Sequence, residues 1–383
     1  MGRKVVLKVG SSSIIDDATG QIKLANLSRI VEAVCEMKRA GDHVVLVSSG
    51  AVGTGMMRLG MKTKPKIRSH KQAAAAVGQG RLMRVYDDLF SQMNQPIAQV
   101  LLTRADFGQR AHYLNECATL KELLAMGVVP IVNENDTVST TEVRFGDNDT
   151  LSALIAGMVD AQWLFLLTDV DALYTSNPRT DPDAKPIRVV NDLSELHVNV
   201  DGAGSSLGTG GMATKLTAAD LATSAGCATV ICRSDMPEDI PKIINGAEIG
   251  TVFVAKDKPL GDRKWWIKHG LHCYGRVVVD DGAVDAIHKR NSLFAAGIVA
   301  VEGSFSPDSC VAIVSEEGQE LGRGLVKYSS AEIERVRGKH SSEIVSLLGY
   351  METDCVIHRH NMALDEATPS RPISPELIVE DAK

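Results

Sequence analysis

The sequence predicts an α/β fold with a mainly parallel sheet, followed by a small β-rich domain. In the first 255 residues, short apolar runs rich in Val, Ile and Leu alternate with helical patterns. From Lys256 onward the pattern changes to a charged segment and then to short β-branched runs separated by turn residues. A chain of 383 residues is also too long for one ordinary compact domain.

Six apolar runs are predicted as strands of the first sheet. Because they lack strict alternation of apolar and polar residues, we expect strands that are covered on both faces. Three of the helical patterns between them end at a glycine, the usual C-terminal stop. The runs are KVVLKVG, HVVLVSSG, IAQVLLT, VVPIVNEN, AQWLFLLTD and CATVICRSD, and the glycines are Gly41, Gly127 and Gly226. Such repeated strand–helix–strand units bind ligands beyond the carboxyl ends of their strands.

The C-terminal third is predicted to contain a linker, a domain and a tail. Residues 256–272 are charged and non-periodic, so we interpret them as a linker that is partly packed by Trp265 and Trp266. Residues 273–360 carry short strands with a turn at Glu317-Gly318 and one or two helices, including SAEIERVRG. Residues 361–383 are polar with three prolines and are predicted to be disordered.

Composition and charge argue against several classes of function. The 41 Lys and Arg against 48 Asp and Glu give a net charge of −7, which offers no overall attraction to nucleic acid or anionic membrane. The chain begins with a predicted strand instead of a signal peptide, and no apolar run is long enough for a membrane span. Seven scattered cysteines without a CxxC pair indicate a reduced, cytoplasmic protein with structural thiols.

Three glycine-bearing loops follow apolar strands or open helices, where backbone N–H groups can face an anion. They are KVGSSS (8–13), SSGAVGTG (48–55) and GTGGMATK (208–215). Each alone is equally typical of a simple turn. Lys8 lies inside an apolar strand, where the alternative is a surface charge, and Lys215 lies in the first turn of a helix, where a cation opposes the macrodipole. Together they favour a polyphosphate site.

Two further segments supply carboxylates and amides. NENDTV (133–138) ends a predicted buried strand and contains Asp136. FGDNDT (145–150) leads into a helix, and Asp149 there could be an N-cap, a ligand, or both. Thr168 and Asp169 follow another strand and could contact a nucleotide or only form a turn. No metal cluster or catalytic triad is apparent in the sequence.

These motifs, in this order, resemble the glutamate 5-kinase branch of the amino acid kinase family. The motifs SSGAVGTG, NENDTV, FGDNDTLSA, LLTDVDALYTSNPRT and GTGGMATKLTAAD carry the resemblance, which covers residues 4–255. Their combination separates the chain from acetylglutamate, aspartate, carbamate and uridylate kinases of the same fold. The resemblance implies an amino acid kinase-like three-layer sandwich over residues 1–255 and a PUA-like domain over 273–360.

The resemblance also implies an activity and its residues. The expected reaction is ATP-dependent phosphorylation of the γ-carboxylate of L-glutamate, the first step of proline biosynthesis. By resemblance, Lys8, Lys215 and Asp149 are catalytic, and Ser49, Asp136 and Asn148 bind glutamate. The residues implied for ATP binding are Lys8, Gly10, Ser11, Thr168, Asp169, Thr209, Gly210, Gly211, Met212, Ala213, Thr214 and Lys215.

Cofactors and partners are likewise implied by resemblance. ATP is expected as co-substrate, with Mg²⁺ carried on its phosphates and no dedicated metal ligands in the protein. Proline is expected as a feedback inhibitor and a dimer or tetramer as the assembly. RNA binding by the PUA-like domain is the rival hypothesis, but residues 273–360 hold nine Lys and Arg against thirteen Asp and Glu, the wrong balance for a phosphate footprint.

Overall fold

The computed structural model describes residues 2–16, 19–139, 145–178, 180–196, 211–257 and 259–365. These residues form two compact units that divide after Leu260. The first unit contains the predicted α/β fold, and the second contains the predicted β-rich fold.

The first unit is built on an eight-stranded sheet with the order β3-β4-β2-β1-β5-β9-β10-β8. Six of these strands are parallel, whereas β10 runs antiparallel to β9 and parallel to β8. A separate two-stranded sheet pairs β6 with β7. The strands of this unit are β1 (Lys4–Val9), β2 (His43–Ser48), β3 (Ile97–Leu102), β4 (Val129–Glu134), β5 (Trp163–Thr168), β6 (Leu173–Tyr174), β7 (Pro186–Ile187), β8 (Val189–Val190), β9 (Ala228–Arg233) and β10 (Thr251–Phe253).

Nine α-helices in the described part of this unit connect and cover the strands. They are α1 (Ser11–Ile14), α2 (Leu24–Arg39), α3 (Ala51–Arg58), α4 (Arg68–Gln92), α5 (Arg104–Gly108), α6 (Arg110–Ala125), α7 (Asn148–Met158), α8 (Met212–Ser224) and α9 (Asp239–Ile244). Each of the three predicted glycine stops follows a helix. The glycines themselves adopt the left-handed region, with φ of 95° at Gly41, 80° at Gly127 and 83° at Gly226. The sequence thus located these helix ends correctly.

Two helical layers cover the sheet, and β1 shows how its residues are divided between them. Leu7 and Val9 belong to the core cluster that includes residues of α2 and α4. Since successive strand residues point to opposite faces, Lys8 points toward the other layer, where α7 packs on β1 and on α8. The three-layer arrangement predicted from the resemblance is therefore confirmed.

The six predicted strands all lie in the large sheet, side by side and parallel. One expectation about them is wrong, because β3 is an edge strand that is only partly buried along most of its length. The antiparallel strands at the other edge were not predicted, since β8 and β10 contain only two and three residues.

The second unit holds a five-stranded sheet in the order β12-β11-β13-β14-β15. The strands are β11 (Cys273–Val279), β12 (Ile298–Gly303), β13 (Cys310–Ser315), β14 (Glu320–Leu325) and β15 (Met362–Leu364). Its α-helices are α10 (Asp262–Trp265), α11 (Asp281–His288), α12 (Ser330–Val336) and α13 (Ile344–Leu348). Gly318 turns between β13 and β14 with φ of 84°, as predicted.

Three expectations about the C-terminal part are corrected. Residues 261–272 are not linker, because they belong to the second unit, in which α10 contacts β15 and the following helical turn contacts β14 and β15. Residues 362–364 are not tail, because they add an edge strand beside β14. The three helices after β11 exceed the one or two expected, because α13 has only five residues and no readable periodicity. The rest of the predicted tail, residues 366–383, lies outside the described residues.

Candidate active site

Two lysines and one aspartate from three elements meet beside the carboxyl end of β1. Lys8 Nζ lies 2.7 Å from Asp149 Oδ1, and Lys215 Nζ lies 3.2 Å from Asp149 Oδ2. Thr214 Oγ1 donates a third contact to Asp149 Oδ2 at 2.8 Å. Asp149 is fully buried and the two lysines are 6% exposed, so the three charges form a compact cluster shielded from water.

The electrostatics of this cluster keep the carboxylate charged. Burial alone would raise the pKa of Asp149, but the charges of Lys8 and Lys215 and the hydrogen bonds from Lys8 and Thr214 outweigh it and lower the pKa to about 2. Burial and the charge of Lys8 lower the pKa of Lys215, while Asp149 opposes both effects. One carboxylate between two ammonium groups leaves an excess positive charge, which suits an anionic ligand.

The alternative that Asp149 is only a helix cap is excluded. Asp147 is the N-cap of α7, and its carboxylate accepts hydrogen bonds from the Thr150 backbone N–H at 2.7 Å and from the Thr150 hydroxyl at 3.1 Å. Asp149 is the second residue of the helix, and its side chain reaches Lys8 and Lys215 instead. The two carboxylates therefore have different roles: Asp147 caps α7, and Asp149 belongs to the charge cluster.

Glycine loops lie on both sides of the cluster. A Cβ on Gly10 would lie 3.4 Å from Lys8 Nζ, so the backbone after β1 passes close to the ammonium group. Gly211 is the N-cap of α8, and its N–H donates to Thr214 Oγ1 at 3.1 Å. The predicted residues Ser11, Met212 and Ala213 are at least partly exposed here. Thr209 and Gly210 lie outside the described residues.

Thr168 and Asp169 lie at the end of β5, next to β1 in the sheet. The Thr168 hydroxyl donates to Asp169 Oδ1 at 3.1 Å, and Asp169 is exposed. The charge of Asp169 also opposes the lowering of the Lys215 pKa, although less than Asp149 does. Thr168 and Asp169 therefore lie at the same edge of the sheet as Lys8, where they could contact a nucleotide. The hydrogen bond between them is equally compatible with the other expectation, a simple turn.

A cleft opens beside the charge cluster. The Asn148 amide donates to Ser49 Oγ at 2.9 Å and to the carbonyl of Ser48 at 3.2 Å. Asp136 lines the same cleft from the turn after β4. The residues predicted to bind an amino acid thus share one cavity. Its lining consists of Ser11, Ile15, Ser49, Gly50, Ala51, Val52, Gly53, Met56, Lys64, Lys71, Asn133, Glu134, Asp136, Gly146, Asp147 and Asn148.

A chain of amide hydrogen bonds fixes the orientation of Asn148. Asn148 Nδ2 also donates to Asn133 Oδ1 at 3.0 Å, and Asn133 Nδ2 donates to Gln79 Oε1 at 2.9 Å. Asn133 Oδ1 accepts in addition from the Glu134 backbone N–H at 2.9 Å, which requires this amide orientation. The Asn148 side chain is therefore held in place before any ligand arrives.

Comparisons with known proteins identify the family of the chain. Residues 3–234 match the amino acid kinase family, and residues 275–348 match the PUA domain. A relative from Synechocystis sp. named Glutamate 5-kinase is 53% identical over 94% of this chain and 97% of its own length. Glutamate 5-kinases from Synechococcus elongatus and Nostoc punctiforme are 52% and 50% identical, each over 95% of this chain and 100% of their own.

The chain belongs to the glutamate 5-kinases of the amino acid kinase family. The family predicted from the sequence is thus confirmed, as is the C-terminal PUA domain. A solved structure of isopentenyl phosphate kinase from T. acidophilum also resembles the chain, with 19% identity and a TM-score of 0.48 over 65% of this chain and 99% of the other.

Sequence reasoning missed several residues of this glutamate 5-kinase site. Lys64 and Lys71 line the cleft from the α3–α4 connection and the first turn of α4. Gln79 supports the amide chain from the same helix, which was not singled out in the sequence. The basic, proline-containing run KTKPKIR (62–68) was an available signal. Nothing in the local pattern, however, indicates that this run folds over the end of β4.

Among the described residues, no helix combines the length and apolarity that crossing a membrane requires.

Proposed function

We propose that this glutamate 5-kinase transfers the γ-phosphoryl group of ATP to the γ-carboxylate of L-glutamate and forms L-glutamyl 5-phosphate, the first step from glutamate to proline. Family membership supports ATP as the phosphoryl donor. The observation that carries the proposal is the buried Lys8–Asp149–Lys215 cluster beside a cleft lined by Ser49 and Asn148. Asn148, which lines the cleft, and Asp149, which belongs to the cluster, are the first two residues of α7, so the cleft and the cluster are direct neighbours.

The chemistry requires positioning and charge stabilisation more than a protein nucleophile. The glutamate carboxylate attacks phosphorus directly, and the bond from phosphorus to the bridging oxygen of ADP breaks in line with that attack. Negative charge spreads over the oxygens of the transferring group. Lys8 and Lys215 would stabilise that charge, because their ammonium groups are fixed in a site with little water.

Asp149 is proposed to hold the ammonium groups of the two lysines in position. Its carboxylate contacts both ammonium groups and the Thr214 hydroxyl, so it fixes their separation before substrates bind. Without it, the two ammonium groups would repel each other in a buried site. Asp149 is therefore a positioning residue, and the lysines are the groups that we expect to touch the phosphoryl oxygens.

The nucleotide is proposed to lie over the carboxyl ends of β1 and β5, where Thr168 and Asp169 are placed. The loops at Gly10–Ser11 and at residues 209–214 would donate backbone N–H groups to its phosphates. The Gly211 N–H already donates to Thr214 Oγ1 within its own loop. We therefore assign anion contacts to the loop as a whole and not to that single group.

Mg²⁺ is proposed to arrive on the nucleotide phosphates. Within the described ranges, no group of three or more His, Cys, Asp or Glu residues is arranged to hold a metal ion. Asp149, the buried carboxylate closest to the expected phosphates, is already committed to Lys8, Lys215 and Thr214. Phosphate oxygens and water would therefore supply most ligands of the ion.

Selection for a free amino acid is assigned to Asp136, Ser49 and Asn148. Asp136 offers a carboxylate to the α-ammonium group. The Ser49 hydroxyl accepts from Asn148 and can donate its own proton to a carboxylate oxygen, whereas Asn148 would exchange one of its bonds within the protein for a bond to the substrate. An N-acetylated glutamate lacks the ammonium group and leaves Asp136 without its ligand partner. Rejection of such an analogue by a few kcal/mol is about what an unsatisfied polar group costs.

Three further properties are proposals that rest on the family resemblance. The protein is proposed to act in the cytoplasm, to assemble as a homodimer or homotetramer, and to be inhibited by proline. Proline shares the α-carboxylate and a cationic nitrogen with glutamate but has no γ-carboxylate, so it could occupy the amino acid pocket without reacting.

An assay of ADP release tests the proposed function directly. Purified protein is supplied with MgATP and either L-glutamate, N-acetylglutamate, aspartate or carbamate, and hydroxylamine is added to trap an acyl phosphate as its hydroxamate. We expect ADP release and hydroxamate formation with L-glutamate alone. Faster turnover of any of the other three substrates would reject the proposal.

A further inference from the structure

Two lysines in the amino acid cleft have no assigned role. Lys64 and Lys71 line the cavity together with Asp136, and both are partly buried. The cleft contains three carboxylates with different surroundings. Asp147 caps α7, Glu134 accepts from the Ser139 hydroxyl at 2.9 Å and the Phe145 N–H at 3.1 Å, and Asp136 lies in the turn after β4. The lining of the cleft thus contains both carboxylates and ammonium groups, the two kinds of charge that complement a zwitterion.

Lys71 is tied to the same end of the cleft as Asp136. Asp136 lies in a turn in which the Ser139 N–H donates to the Asn135 carbonyl at 3.1 Å. The Ser139 carbonyl in turn accepts from Arg68 Nη2 at 2.9 Å and from Gln72 Nε2 at 3.2 Å. Because Arg68 and Gln72 flank Lys71 in the first turns of α4, these bonds join the segment that carries Lys71 to the turn that carries Asp136.

The backbone of α4, which carries Lys71, is also held in place by its contact with α3. Helices α3 and α4 touch at backbone level, since a Cβ on Gly55 would lie 1.7 Å from the Ala74 carbonyl oxygen and one on Gly78 would lie 1.8 Å from that of Ala51. Ala51 itself lines the cleft. The first turn of α4 contains no acidic residue, so its basic side chains add to the positive end of the helix dipole.

We propose that Lys71 binds the α-carboxylate of the substrate, so that Lys71 and Asp136 together recognise the zwitterionic end of the amino acid. The inference rests on the proposed function and specifies which side chain reads which substrate group. The γ-carboxylate then extends toward Asn148 and the lysine cluster. Recognition of the α-carboxylate is thereby separate from stabilisation of the transferring phosphoryl group.

The test compares L-glutamate with its α-amide, which keeps the α-ammonium and γ-carboxylate groups but lacks the α-carboxylate charge. For Lys71→Met we expect kcat/KM for glutamate to fall about 10- to 100-fold, the range for losing one partner of a partly buried charge pair. The value for the α-amide should stay within about threefold of wild type, and so should the KM for ATP. Lys71→Arg keeps the charge and should recover most of the glutamate activity.

Lys66→Met is the matched control, because Lys66 is exposed on the same segment and does not line the cleft. Equal losses with both substrates in Lys71→Met, or an unchanged kcat/KM for glutamate, would overturn the inference. So would a selective loss in Lys64→Met or Lys66→Met instead. Lys71→Gln provides the same comparison if the methionine variant does not fold. A wild-type protein without glutamate-dependent ADP release would reject the proposed function itself. If the wild type is active but Lys71→Met loses equal activity toward glutamate and its α-amide, only the role of Lys71 is rejected.

Discussion

At the scale of single residues, the site depends on how one buried carboxylate arranges two ammonium groups. Asp149 is fully buried, and each of its oxygens contacts a different lysine. Among the ion pairs of the described residues, those of Lys8 and Lys215 are both with Asp149. Mutations of these three residues should therefore separate charge stabilisation from charge positioning.

The first prediction concerns the lysines. Lys215→Ala should lower kcat at least ~10²-fold, the loss seen when one donor to transition-state charge is removed. The KM for glutamate should change little, because the amino acid is proposed to bind in the adjacent cleft. Lys8→Ala should behave alike, and the double variant should cost less than the sum of the two if they act as one unit. Steady-state kinetics with near-normal kcat in Lys215→Ala would show that the loop only binds nucleotide.

The second prediction concerns Asp149 and pH. Asp149→Asn leaves two buried ammonium groups without their carboxylate, so we expect a loss of about 3–5 kcal/mol in the free energy of unfolding at pH 7. The wild-type pKa is lowered to about 2, below the ordinary value of about 3.9. Asp149 therefore stabilises the fold fully above about pH 5 and loses this contribution as the pH falls through the ordinary pKa toward 2.

Urea unfolding of both proteins between pH 7 and pH 3 measures this effect. The difference in free energy between wild type and Asp149→Asn should be constant above about pH 5 and should shrink below about pH 4. A difference that grows on acidification would contradict the assigned direction of the pKa shift.

At the scale of elements, the cleft depends on the contact between α3 and α4. Gly55 and Gly78 allow the two helix backbones to touch, and α3 begins at the cleft with Ala51. Tyr86, further along α4, is fully buried and hydrogen bonds to Ser48 Oγ at 2.9 Å, next to Ser49. One long helix thus supports several walls of the amino acid pocket.

The third prediction uses two glycines of α4. Gly78→Ala places a methyl group 1.8 Å from the Ala51 carbonyl oxygen, so the helices must separate. We expect a loss of at least ~1–3 kcal/mol in unfolding free energy, as for overpacked cores, and a raised KM for glutamate. Gly80→Ala is the control, because a Cβ there meets no atom within 4 Å. It should stabilise the protein by about 0.5–1 kcal/mol, the gain from replacing a helical glycine. Equal effects of the two variants in urea unfolding would refute the backbone contact.

At the scale of the whole molecule, the chain divides into two units after Leu260. Every described residue that we assign to substrate or nucleotide lies in the first unit, and each unit has its own apolar core. The two tryptophans that were expected to pack a linker belong to the second unit and are buried. The catalytic machinery is therefore expected to be independent of the PUA domain.

The fourth prediction tests that independence. A chain ending at Leu260 should fold, keep kinase activity and keep its sensitivity to proline, because proline is proposed to share the glutamate pocket. Glutamate saturation curves with and without proline compare it with the full chain, and added glutamate should relieve the inhibition. A folded, active truncation that ignores proline would show that the inhibitor depends on the second unit, and the shared-pocket hypothesis would fail.

Local patterns predicted much of the fold. The six strands were readable because apolar runs of this length need a buried sheet, and the helix ends at Gly41, Gly127 and Gly226 were readable because glycine readily adopts positive φ. The two short strands β8 and β10 and the five-residue helix α13 were missed, since elements this short leave no periodicity. The long helix α4 was overlooked because its apolar residues do not form one clear stripe.

By itself, then, the sequence determined the class of fold, the family and the identity of the charged residues, because motifs and apolar runs are properties of neighbouring residues along the chain. Only the tertiary structure decided which charges meet. Asp149 and Lys215 are 66 positions apart in the chain, yet their charged atoms lie 3.2 Å apart. It also separated the capping task of Asp147 from the task of Asp149, and it brought Lys71 into the cleft with Asp136. The physical reason is that parallel strands gather distant loops at one edge of the sheet, and the burial and pairing that give these side chains their chemistry exist only there.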